Sequence, residues 1–127
     1  MKKLILVVED NERNRKLVRT ILEFRGFEVI ECDDGERSIA LAKGRRPALI
    51  LMDIELPQLD GISALKRLRE DPDTASIPGA AVTASVTPGE RERVIAAGFD
   101  AYIAKPIDMA VFNEAVDRLA GPAEAGP

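Results

Sequence analysis

Five short apolar runs, separated by amphipathic stretches of helical period, constrain this chain more than any other feature. That alternation is the pattern of an α/β protein with a parallel sheet. The spacing predicts strands over Leu4–Val8, Glu28–Cys32, 48–52, 80–83 and Ala101–Ala104. A first helix over about 11–25 places Leu17, Val18, Ile21 and Leu22 on one face, with Gly26 at C′. A second runs from Asp34-Gly35 to about 44, and a third starts near Gly61, uses Ile62, Leu65 and Leu68, and stops before Pro72. The fourth opens at Thr87-Pro88-Gly89-Glu90, where Thr87 as N-cap, Pro88 at N1 and Glu90 at N3 fit a capping box. The fifth covers about 108–119 on Phe112, Val116 and Leu119. The 48–52 run is apolar on both faces, so its strand should be central and covered on each side. Residues 1–120 then form one domain, and 121–127 a short flexible tail.

Five such repeats most simply make a doubly wound sheet of order 2-1-3-4-5, which reverses between strands one and three. Ligands bind beside that switch point, at the carboxyl ends of the strands. The charged residues closing the apolar runs belong there: Glu9 and Asp10 after the first, Asp53 after the third, Lys105-Pro106 after the fifth. Two carboxylates about 4 Å apart repel by about 4 kcal/mol at an effective dielectric of about 20, and Glu9 adds a further charge. Lys105 alone leaves a deficit that a hard divalent cation removes. Oxygen-only ligands suit Mg²⁺ or Mn²⁺ rather than zinc or copper. With a cation beside it, Asp53 is a nucleophile able to form an aspartyl phosphate, and Lys105 and the Thr83 hydroxyl are placed to hold phosphoryl oxygens.

Composition removes competing chemistries. The chain has no histidine, which excludes a Ser-His-Asp triad and a histidine general base. Its single cysteine, Cys32, forms no internal disulfide and is expected to be a half-buried packing residue; a structural zinc site is remote. A net charge of -4, with cations scattered among acids, offers no field for nucleic acid. No apolar stretch is long enough to span a membrane, and the run after Met1-Lys2-Lys3 is too short for a secretory leader, so the cytoplasm is the expected compartment.

Four groups of residues carry a resemblance to the receiver domains of two-component response regulators. They are Glu9-Asp10, the stretch from Met52-Asp53-Ile54-Glu55-Leu56-Pro57 to Asp60-Gly61, the pair Thr83-Ala84, and Lys105-Pro106, in the family's order and spacing. The match runs from about Lys3 to Leu119. Val8-Glu9-Asp10-Asn11 and the stretch Ala97-Gly98-Phe99-Asp100 to Ile103 are similar to single-domain DivK-like receivers. The resemblance implies a flavodoxin-like fold and a phosphoryl group taken from a phosphohistidine on a histidine kinase or histidine phosphotransferase. It further implies Asp53 as acceptor, and Asp10, Asp53 and the Glu55 main-chain carbonyl as Mg²⁺ ligands, with Glu9 acting through water. Lys105 binds the phosphoryl group beside a cis bond to Pro106, and Thr83 and Tyr102 form the switch.

Phosphorylation replaces one negative charge at Asp53 by about two. Helix four, whose apolar face is thin and rests mainly on Val94 and Ile95, is the element expected to respond, making helix four, strand five and helix five a face for a downstream target protein. The chain is expected to be a monomer or a phosphorylation-dependent dimer. Glu55 and Ser85, each two residues beyond a site residue, are expected to tune the lifetime of the modified state. Two other classes fit parts of the pattern. An aspartate-nucleophile phosphatase of the haloacid dehalogenase kind wants Asp-x-Asp-x-Thr after the first strand, whereas here Asp53 follows the third and Glu55 stands two residues on. A pseudo-receiver would keep the site as an interaction module without phosphoryl transfer.

Overall fold

A computed structural model describes residues 2–84 and 87–123. Strands β1 (Leu4–Val8), β2 (Glu28–Cys32), β3 (Leu49–Asp53), β4 (Gly79–Thr83) and β5 (Ala101–Ala104) alternate with helices α1 (Glu12–Phe24), α2 (Gly35–Arg45), α3 (Gly61–Glu70), α4 (Pro88–Ala97) and α5 (Met109–Ala120). The strands pair in parallel in the order β2-β1-β3-β4-β5. This is the doubly wound sheet that the apolar runs predict, with the reversal between β1 and β3.

Side chains alternate across each strand, so each run serves two cores. Ile5, Val7, Leu49, Leu51, Val82 and Ile103 pack with Val18 and Leu22 of α1 and with Phe112 and Val116 of α5. Leu6, Val8, Ile50, Met52 and Ala81 pack with Ala42 of α2, with Leu65 and Leu68 of α3, and with Val94 of α4. Every residue of β3 is buried, as expected for the central strand.

Each helix begins with a side chain that accepts a hydrogen bond from its first-turn amides: Asn11, Asp34, Asp60, Thr87 and Asp108. Each such cap contributes about 1 kcal/mol and fixes where the chain leaves the sheet. Thr87 fills its predicted place, with Pro88 opening α4, while the Glu90 carboxylate accepts from Arg93. Gly61 is required by close approach: a Cβ there would strike the Asp53 carbonyl oxygen and lie 2.9 Å from the Ile54 Cα.

The edges of two helical faces differ from expectation. Leu17 is 51% exposed and Ile95 50% exposed, so α1 rests on Val18 and Leu22, and α4 on Val94 and Ala97. Helical spacing places these residues beside the apolar stripe, and in the fold they lie at its exposed margin. Cys32 is buried outright, and burial pushes its thiol pKa up to about 11. Of 121–127, residues 121–123 are described: the Ala123 carbonyl accepts from the Lys3 amide at 2.7 Å, and the Ala120 carbonyl from Lys3 Nζ at 2.6 Å. The remainder of that segment, like Ser85 and Val86, lies outside the described residues.

Candidate functional site

Glu9 and Asp10 follow the last residue of β1, Asp53 ends β3, Thr83 ends β4, and Lys105 follows β5. Register brings these ends together, since Val8 pairs with Met52, Asp53 with Val82 and Thr83 with Ala104. Carboxylate oxygens of Glu9, Asp10 and Asp53 all lie within 4.8 Å of one another. Glu9 and Asp53 are buried and Asp10 is exposed, so the cluster opens to solvent on the Asp10 side. Lys105 Nζ reaches between the two buried acids, 2.6 Å from Glu9 Oε1 and 3.0 Å from Asp53 Oδ2. The other Asp53 oxygen, Oδ1, accepts the Glu55 amide at 2.9 Å, while the Glu55 side chain points to solvent. The Lys105-Pro106 bond is cis.

The electrostatics follow from crowding. Burial, reinforced by the neighbouring Asp53, pushes the Glu9 pKa up from 4.5 to about 7, with Lys105 opposing in part. Burial also works to raise Asp53, but hydrogen bonding to Glu9, the Glu55 amide and Lys105 outweighs it and leaves Asp53 below its ordinary value. For Lys105, burial disfavours the charge, yet Glu9 and Asp53 hold its pKa above the usual lysine range. The pair thus holds a proton, favoured on Glu9, up to about pH 7, while its partners favour the ionised form of Asp53, in which a carboxylate is nucleophilic. Glu9 Oε2 is buried and meets no donor among the described residues. A proton shared with Asp53, or a cation, satisfies it. Three carboxylates converging with an open side form a donor set that fits a hard divalent cation.

Thr83 is fully buried one residue past Val82, the register partner of Asp53. Tyr102 pairs with Ala81, so Tyr102 and Thr83 belong to the same face of the sheet, the one covered by α4. Tyr102 is half-buried, and burial followed by the nearby Glu90 carboxylate raises its phenol pKa. Two features escape a reading of strand ends. A cleft of about 400 Å³, lined by Glu9, Asn14, Leu17, Val18, Lys105 and Ile107, opens beside the acids; Leu17, read from the sequence as a packing residue, forms part of its wall instead. Arg15 Nη1 donates to the Glu9 main-chain oxygen at 2.9 Å, a contact with no sequence signature beyond a cation in the first turns of α1.

Comparison with known proteins agrees with this geometry. The model of the response regulator receiver domain family matches residues 5–117. The polar-differentiation response regulator DivK of Brucella anthropi is 42% identical over 123 residues, covering 97% of this chain and 100% of that protein. The receiver domain of the sensor histidine kinase PA1611 from Pseudomonas aeruginosa PAO1, solved with a magnesium ion coordinated in its active-site cleft, superposes with a TM-score of 0.88 at 35% identity, covering 95% of this chain and 99% of that one. The signal receiver domain of a signal transduction histidine kinase from Syntrophus aciditrophicus gives a TM-score of 0.86 at 28% identity, over 98% and 95% of the two chains. With its sheet order, its acids at the switch point and these matches taken together, the chain belongs to the response regulator receiver domains of two-component signalling and is DivK-like.

Proposed function

We propose that Asp53 accepts a phosphoryl group from a phosphohistidine on a partner histidine kinase or histidine phosphotransferase, and that the aspartyl phosphate changes the face formed by α4, β5 and α5. The observation that carries this reading is the Lys105 ammonium bridging Glu9 and Asp53 at 2.6 and 3.0 Å inside a solvent-open acidic triad. Asp10, Asp53 and the Glu55 main-chain oxygen would hold Mg²⁺, or Mn²⁺ in its place, with Glu9 acting through water. The cation supplies positive charge against the crowded carboxylates and the transferring group.

The chain's own residues do the rest. The ionised Asp53 carboxylate attacks phosphorus; an O–P bond forms as the P–N bond breaks, and its electron pair returns to the partner's imidazole. Lys105, already 3.0 Å from Asp53, neutralises one phosphoryl oxygen as a point charge, and the Thr83 hydroxyl donates to another. Drawing Thr83 toward the phosphoryl group vacates space that Tyr102 fills by turning inward, which alters the surface offered by α4, β5 and α5. A downstream target protein reads that surface, with the chain a monomer or a phosphorylation-dependent dimer. The charge of the exposed Glu55 side chain disfavours attack by water and so lengthens the lifetime of the modified state. A kinase-fed phosphohistidine donor supports a cytoplasmic location; among the described residues no helix is long and apolar enough to cross a membrane.

The test is intact mass spectrometry after incubation with a small phosphoryl donor. The expected result is a gain of one phosphoryl group that needs Mg²⁺ and disappears in Asp53→Asn. No gain in the unaltered chain would leave a pseudo-receiver, and turnover of a phosphate ester would point to a phosphatase.

A further inference from the structure

Arg15 lies outside the acidic cluster yet touches its frame. Its Nη1 donates to the Glu9 main-chain oxygen at 2.9 Å, and its Nε lies 3.7 Å from Glu31 Oε1 on β2. Arg19 Nη1 holds the same Glu31 oxygen at 3.2 Å, and Glu31 Oε2 is buried with no partner among the described residues. Only 20% of the Arg15 side chain is exposed. A surface ion pair of this length contributes little by itself. What distinguishes Arg15 is its acceptor: the Glu9 carbonyl opens the peptide that leads into Asp10.

Glu9 is gripped at three points. Its amide donates to the Cys32 carbonyl at 3.1 Å, its carboxylate accepts from Lys105, and its carbonyl accepts from Arg15. Of the three, only the contact from Arg15 holds an atom of the Glu9-Asp10 peptide itself. Asp10 is exposed, and no side-chain hydrogen bond to it occurs among the described residues, so its aim toward Asp53 depends on that peptide plane.

We propose that Arg15 is a positioning residue which, anchored by Glu31, clamps the Glu9 carbonyl and thereby sets the affinity of the acidic cluster for a divalent cation. The inference rests on the Mg²⁺-dependent reading above. Its sign separates it from simple electrostatics. Removing a positive charge close to a cation site tightens cation binding through space. Removing a group that orients a ligand weakens it, by about tenfold where such outer partners have been altered in metal sites.

The experiment is calorimetric titration of the full chain with Mg²⁺, in parallel with phosphorylation by a small donor across a Mg²⁺ series. Arg15→Met is expected to weaken Mg²⁺ about tenfold, with the rate at saturating Mg²⁺ within about twofold of the parent. Arg15→Lys, which reaches one acceptor at a time, should recover part of the affinity. Because it keeps the charge, Arg15→Lys becomes the deciding variant if Arg15→Met fails to fold: Mg²⁺ binding weaker than the parent's is expected there, where electrostatics alone predicts no change. Unchanged or tighter Mg²⁺ binding in the folded variants overturns the clamp and leaves the acceptor reading intact. A parent chain that binds no Mg²⁺ overturns both.

Discussion

Helices α3 and α4 have the same length, 10 residues, and pack on the same face of the sheet, but they are held very differently. Helix α3 buries Ile62, Leu65 and Leu68 and opens at Gly61, whose backbone lies against that of Asp53. Helix α4 buries only Val94 and Ala97 and leaves Ile95 half exposed, with Thr87, Pro88 and Gly89 in solvent. Two more large side chains at about 2 kcal/mol each give α3 an advantage of about 4 kcal/mol in burial. At its far end α4 is tied, since the Gly98 carbonyl accepts Arg69 Nε at 3.1 Å. Asp53, the proposed acceptor, thus rests on a stiff support, and the element expected to report on it is loose at the end that faces the site. Moving a two-state element from about 1:99 to about 99:1 takes about 5.5 kcal/mol, a demand that only a weakly packed element brings within reach of a few charge-assisted hydrogen bonds.

The contrast breaks first at glycine. Gly61→Ala inserts a methyl group into the Asp53 backbone and should lower stability by about 3 kcal/mol in denaturant melts, while distorting the cluster. Tolerance at Gly61 would show that the β3–α3 connection is not stiff.

A second prediction concerns the acids themselves. Glu9 keeps its proton to about pH 7 in the metal-free protein, against 4.5 ordinarily, and a cation must displace it. Mg²⁺ affinity should therefore rise up to about tenfold per pH unit below pH 7 and level off above it, as followed by calorimetry. The raised folded-state pKa carries the matching sign for stability. Between 4.5 and about 7 the metal-free fold holds a proton that the unfolded chain has released, so stability from this group is lost as pH rises through that window. A flat Mg²⁺ profile would mean that Glu9 is ionised throughout.

The smallest effect is expected at Gly89, in α4. A Cβ there meets nothing within 4 Å, so Gly89→Ala should stabilise the protein by about 0.5–1 kcal/mol. The same methyl that harms α3 at its start should help α4, and a loss of stability would mean that α4 is packed more tightly than its buried residues indicate.

How much of this was legible in the sequence depends on the kind of signal. The apolar runs give the strands within a residue, most clearly in β1, β3 and β4, where burial on both faces leaves a continuous mark, and the parallel order then sets the strand ends that carry Glu9, Asp10, Asp53, Thr83 and Lys105 along one edge of the sheet. The cap at Thr87 is local chemistry and equally readable, whereas Asn11, read as the first residue of its helix, caps it instead. The failures lie where neighbours decide. Leu17 and Ile95 have core-like spacing but sit beyond the sheet's cover, and Gly61 reads as an ordinary turn glycine until the Asp53 backbone is seen against it. Arg15 is one of several cations on α1, and only its contact with the Glu9 carbonyl sets it apart.

The central claim is that charge placed on a rigid Asp53 is read by a loosely held α4. Peptide-resolved amide exchange on the fully phosphorylated and the unmodified protein tests it most directly. The account predicts a change in protection over α4, greatest toward Thr87, with α3 unchanged; equal protection of α4 in the two states, or a change centred on α3, would contradict it.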